Sequence, residues 1–190
     1  MKRTLIVIAL IAALIAPVWA QTSGITPDGF DWSTTRDGKG IIIEIYEGTA
    51  TAVRIPDRIN NLPVVEINSG AFDFTNGNTS LTSVVITSTV TKIGNRAFYR
   101  QSGLTSVTLP PSLIEIGSDA FYGCTALTSV SLPASITTIG MRAFFDCTAL
   151  TTVTIPASVT RITFGANVFR NVTNLNAVSV ATLQRVGYVF

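Results

Sequence analysis

The stretch from Gly117 to Ile139, GSDAFYGCTALTSVSLPASITTI, is followed at once by a second version of itself, GMRAFFDCTALTTVTIPASVTRI, from Gly140 to Ile162. A third, GNRAFYRQSGLTSVTLPPSLIEI, precedes both from Gly94 to Ile116. Six residue types keep a spacing of 23 through all three copies: Gly94, Gly117 and Gly140; Ala97, Ala120 and Ala143; Phe98, Phe121 and Phe144; Leu104, Leu127 and Leu150; Val107, Val130 and Val153; Pro110, Pro133 and Pro156. Six registers held in step exclude composition bias. A period between about 20 and 50 residues identifies a solenoid, in which each small unit buries its apolar side only against the units above and below it.

Working outward, Phe72 and Phe169 extend the series to five turns, with spacings of 26, 23, 23 and 25 between successive phenylalanines. The longer spacings place insertions around Asn76-Gly77-Asn78 and around Phe164-Gly165, between core positions, where a loop lengthens without disturbing a stack. Within a unit, Leu127, Val130 and Leu132 point inward while Ser129 and Ser131 alternate outward with the period of a strand. The segments Leu113 to Ile116, Ile136 to Ile139 and Val159 to Ile162 form a second, shorter apolar pattern, and Ala120-Phe121 between Gly117 and Gly123 reads as a tight turn carrying the large core ring. Residues 67–180 form the array, residues 21–66 an N-terminal cap, and residues 181–190 a C-terminal strand or tail. That tail ends on Val186-Gly187-Tyr188-Val189-Phe190, alternating apolar residues with no evident polar cap. An end of that kind exposes strand edges and favours pairing with a second copy.

The first 20 residues read as a secretory leader. Lys2 and Arg3 precede an apolar run from Leu5 to Ala16, then Pro17, and Val18 and Ala20 suit cleavage before Gln21. The run is shorter than the roughly 20 residues that a bilayer span needs, so the mature chain is not expected to be an integral membrane protein. The expected location is exported: periplasm, cell surface or medium. The net charge of +2 falls to zero once Lys2 and Arg3 leave with the leader. A neutral chain without a basic run has no electrostatic footprint for nucleic acid.

The units Gly94-Asn-Arg-Ala-Phe-Tyr, Gly117-Ser-Asp-Ala-Phe-Tyr and Gly140-Met-Arg-Ala-Phe-Phe, each followed by Leu-Thr-x-Val-x-[Leu/Ile]-Pro, resemble the BspA-like class of bacterial surface leucine-rich repeats. The resemblance covers roughly residues 41 to 180. It implies a right-handed leucine-rich repeat solenoid, α/β by class but built of short strands and turns with at most single helical turns. It also implies no catalysis, and adhesion to host matrix proteins or other cells. The chain departs from the pattern at Thr87, in place of the proline, and at Thr163 and Val168, in place of the glycine and alanine, which predicts distorted terminal turns.

Outward positions of stacked units form ladders about 4.8 Å per rung. One ladder comprises Ser83, Ser106, Ser129 and Thr152, with Val85, Thr108, Ser131 and Thr154 two residues on. This is the candidate partner-binding face, expected to be the continuous sheet; the bland alternative is that small hydroxyls merely tolerate a solvated, pleated position. A second ladder, Tyr99, Tyr122 and Phe145, either points outward, to stack on sugars or anchor a protein, or folds under the neighbouring loop to complete the core. A third, Glu66, Lys92, Glu115, Thr138 and Arg161 beside Arg96, Asp119 and Arg142, alternates in sign and reads as register control. Cys124 and Cys147 occupy equivalent positions of successive turns, within disulfide reach; a reduced buried pair is the expectation, since Gln101 and Val172 take the same slot elsewhere. The chain has no histidine, which removes histidine-based nucleophile pairs and the common zinc sites. No catalytic residue, metal ligand or cofactor is assigned. The expected function is a non-enzymatic interaction module for a protein or glycan partner such as host extracellular matrix. A self-associating scaffold, joined through the C-terminal end, is the alternative.

Overall fold

The computed structural model describes residues 21–77 and 80–190. The expected leader, residues 1–20, and Asn78 of the first insertion lie outside the described residues. Each repeat unit places a two-residue strand on one side, a hydrogen-bonded corner on the next and a three-residue strand on the third. On the first side, β1 (Ser23–Ile25), β2 (Phe30–Thr34), β3 (Ile41–Tyr46), β6 (Leu62–Ile67), β8 (Lys92–Ile93), β10 (Glu115–Ile116), β12 (Thr138–Ile139) and β14 (Thr163–Phe164) are bonded in that order. The first three pair antiparallel and the rest parallel, while β5 (Arg58–Ile59) adds an antiparallel pair to β6. On the third side lie β4 (Ala52–Arg54), β7 (Ser83–Val85) and β9 (Ser106–Thr108) as one sheet, and β11 (Ser129–Ser131) with β13 (Thr152–Thr154) as another.

The periodic glycines are explained by proximity. Gly94, Gly117, Gly140 and Gly165 stand where the chain of one turn crosses that of the turn before, and an added Cβ would lie 2.6, 2.7, 2.4 and 2.3 Å from the backbone nitrogens of Ser69, Asn95, Ser118 and Met141. Real Cβ atoms do not approach that closely. The corner that follows is a ladder in which alternate amides donate to the next turn: Arg96 to Ser118, Phe98 to Ala120 and Arg100 to Tyr122, repeated at Asp119, Phe121 and Gly123 and at Arg142, Phe144 and Asp146. To aim every second amide along the stack, the intervening geometry places Arg96, Arg100, Asp119, Arg142, Asp146, Asn167 and Asn171 at φ between 54° and 64°. That region is costly for residues with a side chain, and each rung's hydrogen bonds hold it.

The core is a column of rings. Phe72, Phe98, Phe121, Phe144 and Phe169 stack face to face at 5.0 to 5.4 Å, with Tyr46 and then Phe30 continuing the column at the N-terminal end. Tyr46 therefore occupies the phenylalanine position one turn before Phe72, and its amide donates to Ala71 as that of Phe72 does to Ala97. Since β3 pairs with β6 and β4 with β7 in parallel, the segment from Ile41, read above as part of the cap, already runs along the solenoid. The β1–β2 hairpin, in a stretch that the sequence showed as glycine- and proline-punctuated, covers its first strand.

Four sequence expectations are corrected. The last turn pairs Thr138 with Thr163 and Ile139 with Phe164, so its two extra residues fall between Val159 and Thr163, before the point expected. Gly165, not Thr163, is consequently the glycine of that turn, and Arg161 stands off the charged ladder. Thr87 does not distort its turn: Val90 donates to its carbonyl as Leu113 does to that of Pro110, and its buried hydroxyl donates to the Pro56 carbonyl at 3.2 Å. The Ser/Thr face is not one continuous sheet, because its pairing breaks between β9 and β11; Val107 and Leu109 are only partly buried there, whereas the equivalent Val130 and Leu132 are fully so.

The fourth correction concerns the C-terminus, which is a helix, α1 (Ala177–Arg185), of nine residues and more than a single turn. Asn176 caps it, its Oδ1 accepting from the Ser179 amide at 2.8 Å. It ends in a left-handed Gly187 with φ 102°, the Tyr188 amide donating to Leu183 and the Gly187 amide to Gln184, the Schellman pattern. Leu183, Val186 and Tyr188 are buried. The Tyr188 ring meets Phe169 and Phe164 edge-on at 5.2 and 5.1 Å and its hydroxyl accepts from the Phe169 amide, which closes the end of the ring column.

Candidate functional site

On the third side, the ladder pairs Ser83 with Ser106 and Val85 with Thr108, and Ser129 with Thr152 and Ser131 with Thr154. Their intervening valines, Val84, Val130 and Val153, are buried, which turns the hydroxyls outward. Ser106, Thr108, Ser129, Ser131 and Thr154 are exposed, and Ser83, Val85 and Thr152 are half-buried. No charged residue lies on β7, β9, β11 or β13. A neighbouring row behaves differently. Thr82, Thr105 and Thr151 turn their hydroxyls onto carbonyls of the preceding turn, those of Thr51, Thr82 and Thr128, and so tie the stack together. Threonine at equal spacing thus carries two roles that sequence alone does not separate.

The aromatic ladder lies on the corner side, half-buried. Tyr99, Tyr122 and Phe145 stack at 4.9 and 5.0 Å with interplanar angles of 23° and 7°. Rings so stacked cover one another's faces and present edges. The Arg96 guanidinium sits 4.2 Å over the Tyr99 ring while binding the buried Asp73 carboxylate at 2.9 Å, which closes the remaining N-terminal face. Both faces of Tyr99 and of Tyr122 are thereby taken, by ring neighbours and by Arg96. Partial burial, with Asp146 next to it, pushes the Tyr122 phenol above its usual range.

Beside this column runs a groove of about 570 Å³ that sequence reading missed, lined by Phe74, Arg100, Tyr122, Gly123, Thr125 and Asp146 among others. Gly123 is its floor. The same rung holds Arg100, Asp146 and Asn171 in neighbouring turns, all at positive φ, and an added Cβ on Gly123 would meet only ordinary contacts at 3.4 Å or more. At φ 69° glycine is the residue without strain, the neighbouring turns bear that strain with a side chain in place, and the effect of Gly123 is a notch between a cation and an anion. The spacing of 23 from Arg100 to Gly123 to Asp146 was the available sign.

The charged ladder does form pairs across rungs: Lys92 with Glu66 at 3.1 Å, and Arg142 with Asp119 through Nε at 2.9 Å and Nη2 at 3.0 Å. These pairs link neighbouring turns and contribute little to stability individually. Cys124 and Cys147 are buried thiols that donate to the Phe98 and Phe121 carbonyls at 3.3 and 3.2 Å; Gln101, in the same slot, donates to the Phe72 carbonyl at 2.7 Å. Burial pushes both thiols up, Cys147 to about 12. They serve as internal caps for the corner. Among the described residues no three His, Cys, Asp or Glu side chains converge on a metal-sized space, and no helix is long and apolar enough to cross a membrane.

A stack of 23-residue units with glycine at each crossing, phenylalanine in the column and an alanine beside it matches the family model for the BspA type leucine rich repeat region, in six copies over residues 64–189. The chain belongs to the BspA type leucine rich repeat family. Among solved leucine-rich repeat structures, it is similar to a leucine rich repeat protein of T. pallidum, at 30% identity over 86% of this chain and 96% of that one, with a TM-score of 0.60. A leucine-rich repeat protein from Bacteroides capillosus shares the fold at 24% identity, over 72% of this chain and all 100% of its own, with a TM-score of 0.62. A leucine rich cell surface protein from Faecalibacterium prausnitzii matches at 25% identity over 83% of this chain and 54% of its own, with a TM-score of 0.57. No curated protein matches the sequence.

Proposed function

We propose that this BspA-type chain is an exported, non-enzymatic interaction module that holds a protein or glycan partner against the hydroxyl rows of β7, β9, β11 and β13. The observation that carries the reading is the ladder itself: Ser106, Thr108, Ser129, Ser131 and Thr154 are exposed on uncharged strands whose valines are buried or, at Val107, partly buried, which leaves a broad, adaptable surface of small hydroxyls. Export is supported by the leader-like residues 1–20 and by a similar protein described as a cell surface protein. Host extracellular matrix is the partner class that fits such a location. Self-association at the C-terminal end would use the exposed Val178, Val189 and Phe190 and the outer edge of β14, beside the ring column that Tyr188 covers.

The test replaces Thr108, Ser131 and Thr154 together by lysine and measures binding to immobilised fibronectin, laminin and collagen beside the unaltered protein. Binding by the unaltered chain that is lost in the triple variant, with an unchanged circular dichroism spectrum, supports the face; retained binding removes it. Mass spectrometry of exported protein is expected to find an N-terminus at Gln21.

A further inference from the structure

The two edges of the third side are treated differently. At the C-terminal edge, β13 is covered by the helix: the Val153 amide donates to the Ser179 hydroxyl at 2.9 Å, Asn176 donates from its backbone to the Thr151 carbonyl at 2.9 Å, and its side chain reaches the Thr152 hydroxyl at 3.2 Å. At the N-terminal edge, β4 pairs with β7 alone among the described residues. The Thr51 carbonyl and the Ile55 amide are spent on that pairing, with Thr82 and Val85. In a strand, alternate residues aim their backbone groups to opposite sides, so the amides and carbonyls of Ala52 and Arg54 face away from β7. The β1–β2 hairpin extends only the first sheet, from β3.

Against that open edge lies a groove of about 580 Å³ between the loop before Phe30 and the loop after Tyr46. Its base is Val53 beside Tyr46, whose hydroxyl fixes the loop by accepting from the Ala50 amide at 3.2 Å. Asp28 and Glu47 line it, and Arg54, its one lining cation, leans toward Asp57 at 3.8 Å. Asp31 adds a further carboxyl at this end; burial, then Glu47 and Glu44, hold it above the ordinary carboxylate range.

We propose that the free edge of β4 is a docking site for an extended, basic peptide segment of another protein, which joins the sheet as an added strand over this groove. Main-chain bonds to Ala52 and Arg54 supply the register, alternate apolar side chains enter the groove, and lysines or arginines meet Asp28 and Glu47. This strand addition stands apart from the hydroxyl-face reading, since it uses an edge rather than a surface.

The test uses the mature chain and two capped probes, the hexapeptides VKVKVK and VEVEVE, followed by NMR. VKVKVK is expected to bind and to slow hydrogen exchange at the Ala52 and Arg54 amides by about tenfold or more, with VEVEVE at least about tenfold weaker. Asp28→Lys with Glu47→Lys, both on exposed loops, is expected to weaken VKVKVK by about tenfold. Ala52→Pro removes one outward amide and, in a folded sample, is expected to abolish binding; if that variant fails to fold, the charge pair and the exchange data decide. No binding, equal affinity for both peptides, or exchange protection elsewhere overturns the proposal. Amides of Ala52 and Arg54 already protected in a peptide-free dimer would assign the edge to a second copy and overturn it equally.

Discussion

The ring column is closed in different ways at its two ends. At the C-terminal end the column turns a ring edge-on, Tyr188 against Phe169, and a nine-residue helix supplies hydrogen-bond partners to the outermost strand. Arg185 joins in, its guanidinium donating to the Val159 carbonyl at 2.6 Å and lying within 3.5 Å of those of Ile155, Pro156 and Ala157. At the N-terminal end Phe30 and Tyr46 also close the column, and the hairpin covers β3, yet β4 keeps an unpaired edge. The lesson is that burying apolar rings and satisfying backbone edges are separate requirements. On the third side the C-terminal end meets both, since α1 supplies partners to β13, whereas at the N-terminal end β4 pairs with β7 alone among the described residues.

Ending the chain at Leu175 is the largest way to break the contrast. It removes the three buried apolar side chains of Leu183, Val186 and Tyr188, at roughly 1.5–3 kcal/mol each, and bares the β13 edge. A loss of about 5 kcal/mol or more is expected, read as a drop in the denaturant midpoint together with new aggregation. Tyr188→Ala is the next largest. It leaves a cavity beside Phe169 and an amide without its acceptor, and should cost about 3–5 kcal/mol by denaturant titration.

The frame was legible because its causes are local and repeated. Gly117 and Gly140 stand where one backbone crosses another, and Phe121 and Phe144 stand where only a large ring fills the column, so each copy of the unit shows the same constraint. The last turn was not legible. Thr163 and Arg161 both suit an outward rung, and only the hydrogen bond from Gly165 to Ile139 decides between them. The helix did leave signs, with Asn176 at its start and Arg185 and Gly187 at its end. Val178, Val180 and Thr182 are β-branched, however, and Val186 to Phe190 alternate like a strand, so local pattern pointed away from what packing against β13 imposes. The groove at Gly123 left one faint sign, the spacing of 23 from Arg100 to Gly123 to Asp146, since a glycine in a turn reads as backbone geometry whether or not it also opens space.

Ser179→Ala separates edge satisfaction from ring burial. The hydroxyl is buried and accepts from Val153, so its loss leaves a buried amide unpaired while the rings stay in place; about 1–3 kcal/mol should disappear, with faster hydrogen exchange at Val153.

Arg54→Ala asks the same question of the open edge and should give nearly the opposite answer. Arg54 is two-thirds exposed, its contact with Asp57 spans 3.8 Å, and its own amide and carbonyl face away from β7. Removing the side chain strips an exposed ion pair whose typical contribution is below about 0.5 kcal/mol, and no backbone partner is lost with it. A near-unchanged unfolding midpoint, beside the clear loss in Ser179→Ala, would show that no side chain at Arg54 does for β4 what Ser179 does for β13. A loss as large as that of Ser179→Ala would mean that the Arg54 side chain itself holds this end of the sheet.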